Sequence, residues 1–86
     1  MDFQRARTVV QAHLDRLYRN EREHPRVLEY GFDLGDSWAP LIDWDGVMGT
    51  YVFAVGKRGG KPVPLSFPQL EERNVRRRVG TWPADL

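Results

Sequence analysis

An α+β fold is predicted by three observations. Apolar residues recur at spacings of three and four only near the start of the chain, the period changes to two from Arg26, and turn clusters cut the remainder into short extended pieces. With 86 residues there is room for one core, so residues 1–86 are expected to form a single domain. The expected architecture is an N-terminal amphipathic helix on a small antiparallel four-stranded sheet of two hairpins, closed by a short C-terminal helix.

The helix is predicted over residues 2–22. Phe3, Ala6, Val10, Leu14 and Leu17 form one stripe, with Val9, His13 and Tyr18 beside it and Arg5, Arg16, Arg19 and Arg22 on the other faces. Leu14 and Leu17 are both expected in the core. Asp2 is placed to cap the first turn, and Pro25 prevents continuation because the residue before proline is pushed out of the α region.

The sheet is predicted over residues 26–67. Leu28, Tyr30, Phe32 and Leu34 alternate with Val27, Glu29, Gly31 and Asp33, which places four apolar side chains on one face for the helix to cover. Gly35-Asp36-Ser37 is a turn, and Trp38 to Trp44 is a strand that Pro40 confines to an edge or a bulge. Asp45-Gly46 is a second turn. Thr50 to Gly56 is apolar on both faces and is the most strand-like segment. A loop at Lys57–Lys61 returns the chain through Pro62 to Phe67, whose two prolines place it at an edge. Pro68 then suits the first turn of a helix over 68–79, ended by Gly80, with Trp82 docking the tail 80–86 onto the body.

Composition narrows the chemistry. A 41% apolar fraction excludes a disordered tail, and the absence of cysteine excludes disulfides, thiolate catalysis and thiolate metal sites. The apolar runs are too short to span a bilayer and the opening residues lack a leader's apolar stretch, so a cytoplasmic protein with no membrane contact is expected. The net charge of +1 conceals a segregation. Residues 27–56 hold five acids (Glu29, Asp33, Asp36, Asp43 and Asp45) and no Lys, Arg or His, while both flanks are rich in Arg. One account is an acidic surface that steers a partner; the other is that flanking arginines fold back and neutralise the acids.

Four local patterns bear on chemistry. Asp43-Trp44-Asp45 would aim two carboxylates at one cation, yet the further ligands of a calcium loop do not follow, so a polar strand end is expected and no metal or cofactor. His13 and His24 lack a neighbouring nucleophile in any triad-like order. Arg58-Gly59-Gly60 is a single turn. Arg76-Arg77-Arg78, with Arg73, would neutralise phosphates, although the small net charge makes nucleic acid the lesser expectation.

Tyr51-Val52-Phe53-Ala54-Val55, a basic glycine turn, then Val63-Pro64-Leu65-Ser66-Phe67-Pro68-Gln69-Leu70-Glu71-Glu72 resembles the second half of the YrhB-like immunity-protein domain of bacterial toxin systems. The likeness extends in order and texture over about residues 3–75. An Ala-Gly-Asn-Ala-Pro-type stretch of that family is missing, with only Trp38-Ala39-Pro40 as a partial, displaced match. What the resemblance implies is a non-enzymatic protein that binds and blocks another protein, with no site residues carried over.

The functional expectation is therefore a small protein-binding inhibitor of the immunity type. Glu29, Asp33, Asp36, Asp43 and Asp45 would face a basic protein partner, with Trp38 and Trp44 as anchors. A phage antidefence inhibitor would use the same physics. The alternative is a nucleic-acid-associated accessory protein contacting phosphates through Arg73, Arg76, Arg77 and Arg78.

Overall fold

The computed structural model describes residues 1–20, 22, 24–44 and 51–86. It is α+β, with elements in the order α1 (Phe3–Leu17), β1 (Arg26–Asp33), β2 (Ser37–Asp43), β3 (Tyr51–Gly56), β4 (Val63–Ser66), α2 (Phe67–Glu71) and β5 (Arg77–Gly80). The strands form one antiparallel sheet ordered β4-β3-β2-β1-β5, so the sheet has five strands where the sequence led us to expect four. No helix among the described residues is long and apolar enough to cross a membrane.

The first helix forms where its stripe has something to cover. Asp2 caps it by accepting from the Arg5 N–H, and Phe3, Ala6, Val10 and Leu14 are buried. It ends at Leu17 instead of continuing to Arg22. Beyond Tyr18 the next stripe positions are Asn20, Glu21 and His24, and a helix without a packed face is not self-sustaining in water. Leu17, expected in the core, is 56% exposed at the helix end.

The helix packs on the face opposite the one its sequence neighbours advertised. Its core partners are Val27, Phe53 and Val55, flanked by Trp38, Ile42, Trp44 and Tyr51. The alternating set of β1 contributes instead to a second layer, in which Leu34, Ala39, Val52, Ala54 and Leu65 meet Leu70 of α2, with Phe32 and Leu41 at the margin. Strand β3 divides its side chains between the two layers, as its two-faced apolarity requires.

Pro40 occupies an interior strand, and a register shift makes this tolerable. Leu28–Tyr30 of β1 stand against the single Leu41 between the pairs Val27↔Ile42 and Gly31↔Pro40. Gly31 is required there, because a Cβ would lie 2.4 Å from the Ala39 carbonyl oxygen. Strand β4, carrying Pro64 opposite Phe53, is an edge strand as expected. The turn expected at Asp45-Gly46, and Thr50, lie outside the described residues.

The helix expected over 68–79 stops at Glu71. Ser66 accepts from the Gln69 N–H while the Gln69 side chain accepts from the Ser66 N–H, a capping box that starts the helix with Pro68 in its first turn. Its single buried residue, Leu70, cannot hold more than this short piece. The chain then becomes extended and pairs with β1 through Tyr30↔Gly80, Gly31↔Val79, Phe32↔Arg78 and Asp33↔Arg77. Gly80 lies within this pairing instead of closing a helix, since a Cβ there would come 2.2 Å from the Glu29 carbonyl oxygen.

Strand β5 covers only the second half of β1, and side chains of α1 satisfy the first half. The Gln11 carboxamide accepts from the Val27 N–H (2.9 Å) and donates to the Pro25 carbonyl (3.2 Å), as a neighbouring peptide group would. Arg7 donates to the carbonyls of Leu28 (2.6 Å) and Val27 (3.4 Å), and the Thr81 N–H donates to Glu29 (3.0 Å). Gln11→Ala strands the Val27 N–H beside a buried side chain. It should cost about 1–2 kcal/mol in urea unfolding at unchanged denaturant slope. Gln11→Glu, which keeps the acceptor and loses the donor, should fall between the two.

Candidate interaction surface

Of the seven residues expected to contact a basic partner, the six that are described do not assemble into one surface. Asp33 is 5% exposed: its Oδ1 meets Lys57 Nζ at 2.8 Å and the Gly35 N–H at 2.8 Å, and its Oδ2 meets Arg77 at 3.2 Å. The Lys57 hydrogen bond, then the Gly35 N–H, then Arg77 hold its carboxyl below the ordinary value against the opposing effect of burial. Asp36 is exposed in the turn before β2 and pairs with Arg73 at 3.8 Å. Asp43 lies at the far end of β2, 3.5 Å from Arg26. Glu29 is exposed on β1 and makes no ion pair among the described residues, and Asp45 lies outside them. The flanking arginines and Lys57 thus fold back onto three of the acids, the second of the two accounts of the segregated charge.

Trp38 and Trp44 are part-buried core residues and not free anchors. Trp38 packs edge-on against Phe3 at 5.9 Å, carries Lys57 Nζ 4.3 Å above its ring and donates from Nε1 to the Met1 carbonyl. Trp44 sits between Tyr18 (5.9 Å) and Tyr51 (5.1 Å). The Tyr18 and Tyr51 hydroxyls share a hydrogen bond of 3.2 Å, and this bond together with burial pushes the Tyr51 phenol up to about 12. His13 packs edge-on against Phe53 at 4.9 Å, a structural position, while His24 is exposed.

The four arginines of the alternative reading are separated by strand geometry. In an extended chain neighbours point to opposite faces, so Arg77 turns to Asp33 while Arg76 and Arg78 turn to the other side. Arg73 is held by Asp36. Arg76 and Arg78 meet three aromatic rings there. Trp82 lies 4.7 Å from Tyr30 and 5.3 Å from Phe32, and its Nε1 donates to the Val79 carbonyl. The Arg78 guanidinium sits 4.2 Å above the Trp82 ring and donates to the Leu86 carbonyl, while that of Arg76 sits 5.5 Å above Phe32. Arg76 makes no ion pair among the described residues. All three rings are half-buried and both arginines are exposed.

Beside this cluster runs a groove of about 480 Å³, lined by Tyr30, Trp82, Pro83, Arg7, Arg26 and Glu29 among others. The sequence contained the parts of this surface but in misleading contexts. Tyr30 and Phe32 read as core, Trp82 as a docking residue, and Arg76 to Arg78 as one patch on a helix. The signal that would have found it is the alternation Arg76, Arg78 leading into Val79 and Trp82, legible only if that stretch is read as a strand.

In comparisons with known proteins, the chain matches no family model, no curated protein and no solved structure, so the likeness to the YrhB-like domain gains nothing from them.

Proposed function

We propose that this is a binding domain that acts by occupying an anionic partner, and that its contact surface is formed by Tyr30, Phe32, Trp82, Arg76 and Arg78 and not by the acidic run. The observation that supports it is the stacking of two exposed guanidinium groups on a cluster of three part-exposed rings at one end of the sheet. Aromatic and arginine side chains dominate the energetics of binding surfaces, because each offers a large rigid area together with a polar edge. A guanidinium resting on a ring is partly desolvated and already oriented, so less entropy is lost when it meets an anion. The non-enzymatic, occluding role expected from the sequence is retained, with the sign of the partner reversed.

The reading is tested on immobilised heparin with a salt gradient. Arg76→Gln/Arg78→Gln should elute well before the wild-type protein. Arg5→Gln/Arg16→Gln removes the same charge from the outer face of α1 and should elute close to wild type. Equal shifts for the two variants would show that retention reflects diffuse charge and not this surface.

A further inference from the structure

We infer that the anionic partner of this surface is single-stranded nucleic acid, an inference that rests on the binding reading above and names its ligand. Three features point to it. The rings of Tyr30, Phe32 and Trp82 belong to one cluster, and flat π faces of this kind are what unpaired bases stack upon. Arg78 and Arg76 lie over Trp82 and Phe32 and are exposed, so cations that can meet phosphates stand directly beside rings that can meet bases, Arg78 with one N–H already given to the Leu86 carbonyl. A groove adjoins the cluster through Tyr30 and Trp82, which line it together with Arg7 and Arg26. Its volume of about 480 Å³ is in the range of small-ligand sites and admits a nucleotide turned out of the stack.

A duplex is a poorer fit, because paired bases keep their faces buried in the stack and offer only phosphates to the arginines. An acidic polypeptide would engage Arg76 and Arg78 equally well but would leave the rings without flat partners. One carboxylate lies on the path: Glu29, exposed and lining the groove, faces the strand with like charge. Arg26 is shared with Asp43 at 3.5 Å, and Arg7 is engaged by the Leu28 and Val27 carbonyls and the Gln4 side chain, which leaves Arg76 and Arg78 as the main phosphate contacts.

The experiment measures fluorescence anisotropy with the full chain and labelled strands of about a dozen nucleotides, within the site size of single-strand binders. The strands are oligothymidylate, oligouridylate, an abasic deoxyribose-phosphate strand and a duplex, with polyglutamate as an unrelated polyanion. Both base-bearing strands should bind about tenfold or more tighter than the abasic strand, since stacking on an aromatic side chain is worth roughly 5- to 150-fold per base. Trp82→Ala should remove most of the difference between the base-bearing and abasic strands and leave the abasic strand unchanged, while Trp82→Phe, which keeps a ring, should retain most of that difference. Arg76→Gln/Arg78→Gln should weaken every strand and flatten the slope of log K against log salt by about 1.4, the loss expected for two phosphate contacts. Glu29→Gln should tighten binding. If the abasic strand, the duplex or polyglutamate binds as tightly as oligothymidylate, the anionic-partner reading stands and the nucleic-acid inference falls. If no polyanion binds, both fall. Thermal melting of each variant separates lost binding from lost fold.

Discussion

Leu14→Ala should lower the unfolding free energy by about 3 kcal/mol, whereas Leu17→Ala, one turn further along the same stripe, should change it by less than about 0.5 kcal/mol. Leu14 is fully buried among Val10, Val27, Phe53 and Val55, on a helix whose neighbours are fixed by the sheet beneath. Removing its isobutyl group leaves a cavity that a close-packed interior cannot fill by relaxation, so the cavity cost adds to the lost transfer energy. Leu17 is 56% exposed, and truncating it gives up little buried area. For a domain of this size 3 kcal/mol corresponds to a fall in Tm of about 15 °C, well outside the error of a melting curve. The comparison is informative because both leucines sit at equivalent positions of one periodic pattern. Equal losses at the two sites would mean that the helix is covered along its whole length. A small loss at Leu14 would mean that it is not packed on this face of the sheet.

That pair shows which parts of the fold were legible. Periodicity marks the stripe from Phe3 to Leu14, but where a helix stops depends on how far the sheet beneath it extends, and Leu17 carries no local sign of that. The strand at Tyr51–Gly56 and the proline-bearing edge at Val63–Ser66 were legible, because apolarity on both faces and missing donors constrain position locally. The stretch after Glu71 was not legible. Arg76, Arg77 and Arg78 have ordinary helix propensity, and their extended form comes from an open sheet edge at Tyr30–Asp33, 44 residues earlier in the chain for the Asp33–Arg77 contact. The same non-local pairing hid the interaction surface. Read as a helix, three successive arginines diverge around an axis; read as a strand, Arg77 goes to Asp33 while Arg76 and Arg78 go to the rings. The acidic run misled for a related reason. Sequence records the sign of a charge, but only the fold shows that Lys57, Arg73 and Arg26 come to meet it.

Asp33→Asn should destabilise the domain by about 2–4 kcal/mol at neutral pH, and the difference from wild type should shrink as the pH falls below about 4. The carboxylate is buried at the end of β1 and joins three segments: Lys57 after β3, the Gly35 turn, and Arg77 of β5. Removing a buried charge from between two cations leaves both with unmet partners. The cost falls below that of a wholly buried pair because Arg77, whose side chain is 77% exposed, regains water. The sign of the pH effect follows from the direction of the shift. Lys57, the Gly35 N–H and Arg77 hold the folded-state pKa below its ordinary 3.8, so the stabilisation is fully present above that value and is lost as the pH falls through the lower folded-state value. Urea unfolding of wild type and Asp33→Asn between neutral pH and about pH 2 reads this directly, with the two curves converging at the acid end. A difference that stays constant across that range would show that Asp33 acts through its size and neutral hydrogen bonds instead of its charge. Lys57→Met gives the complementary arm. It leaves the carboxylate buried with Arg77 and the Gly35 N–H, and should raise the pKa of Asp33 and move the acid limb of the stability curve to higher pH. Because Asp33 ties β5 to β1, the same titration bears on the interaction surface. When the carboxylate protonates, the strand that carries Arg78 loses a restraint next to Phe32, so affinity for a polyanion should begin to fall in the same acid range as stability, although every arginine remains charged.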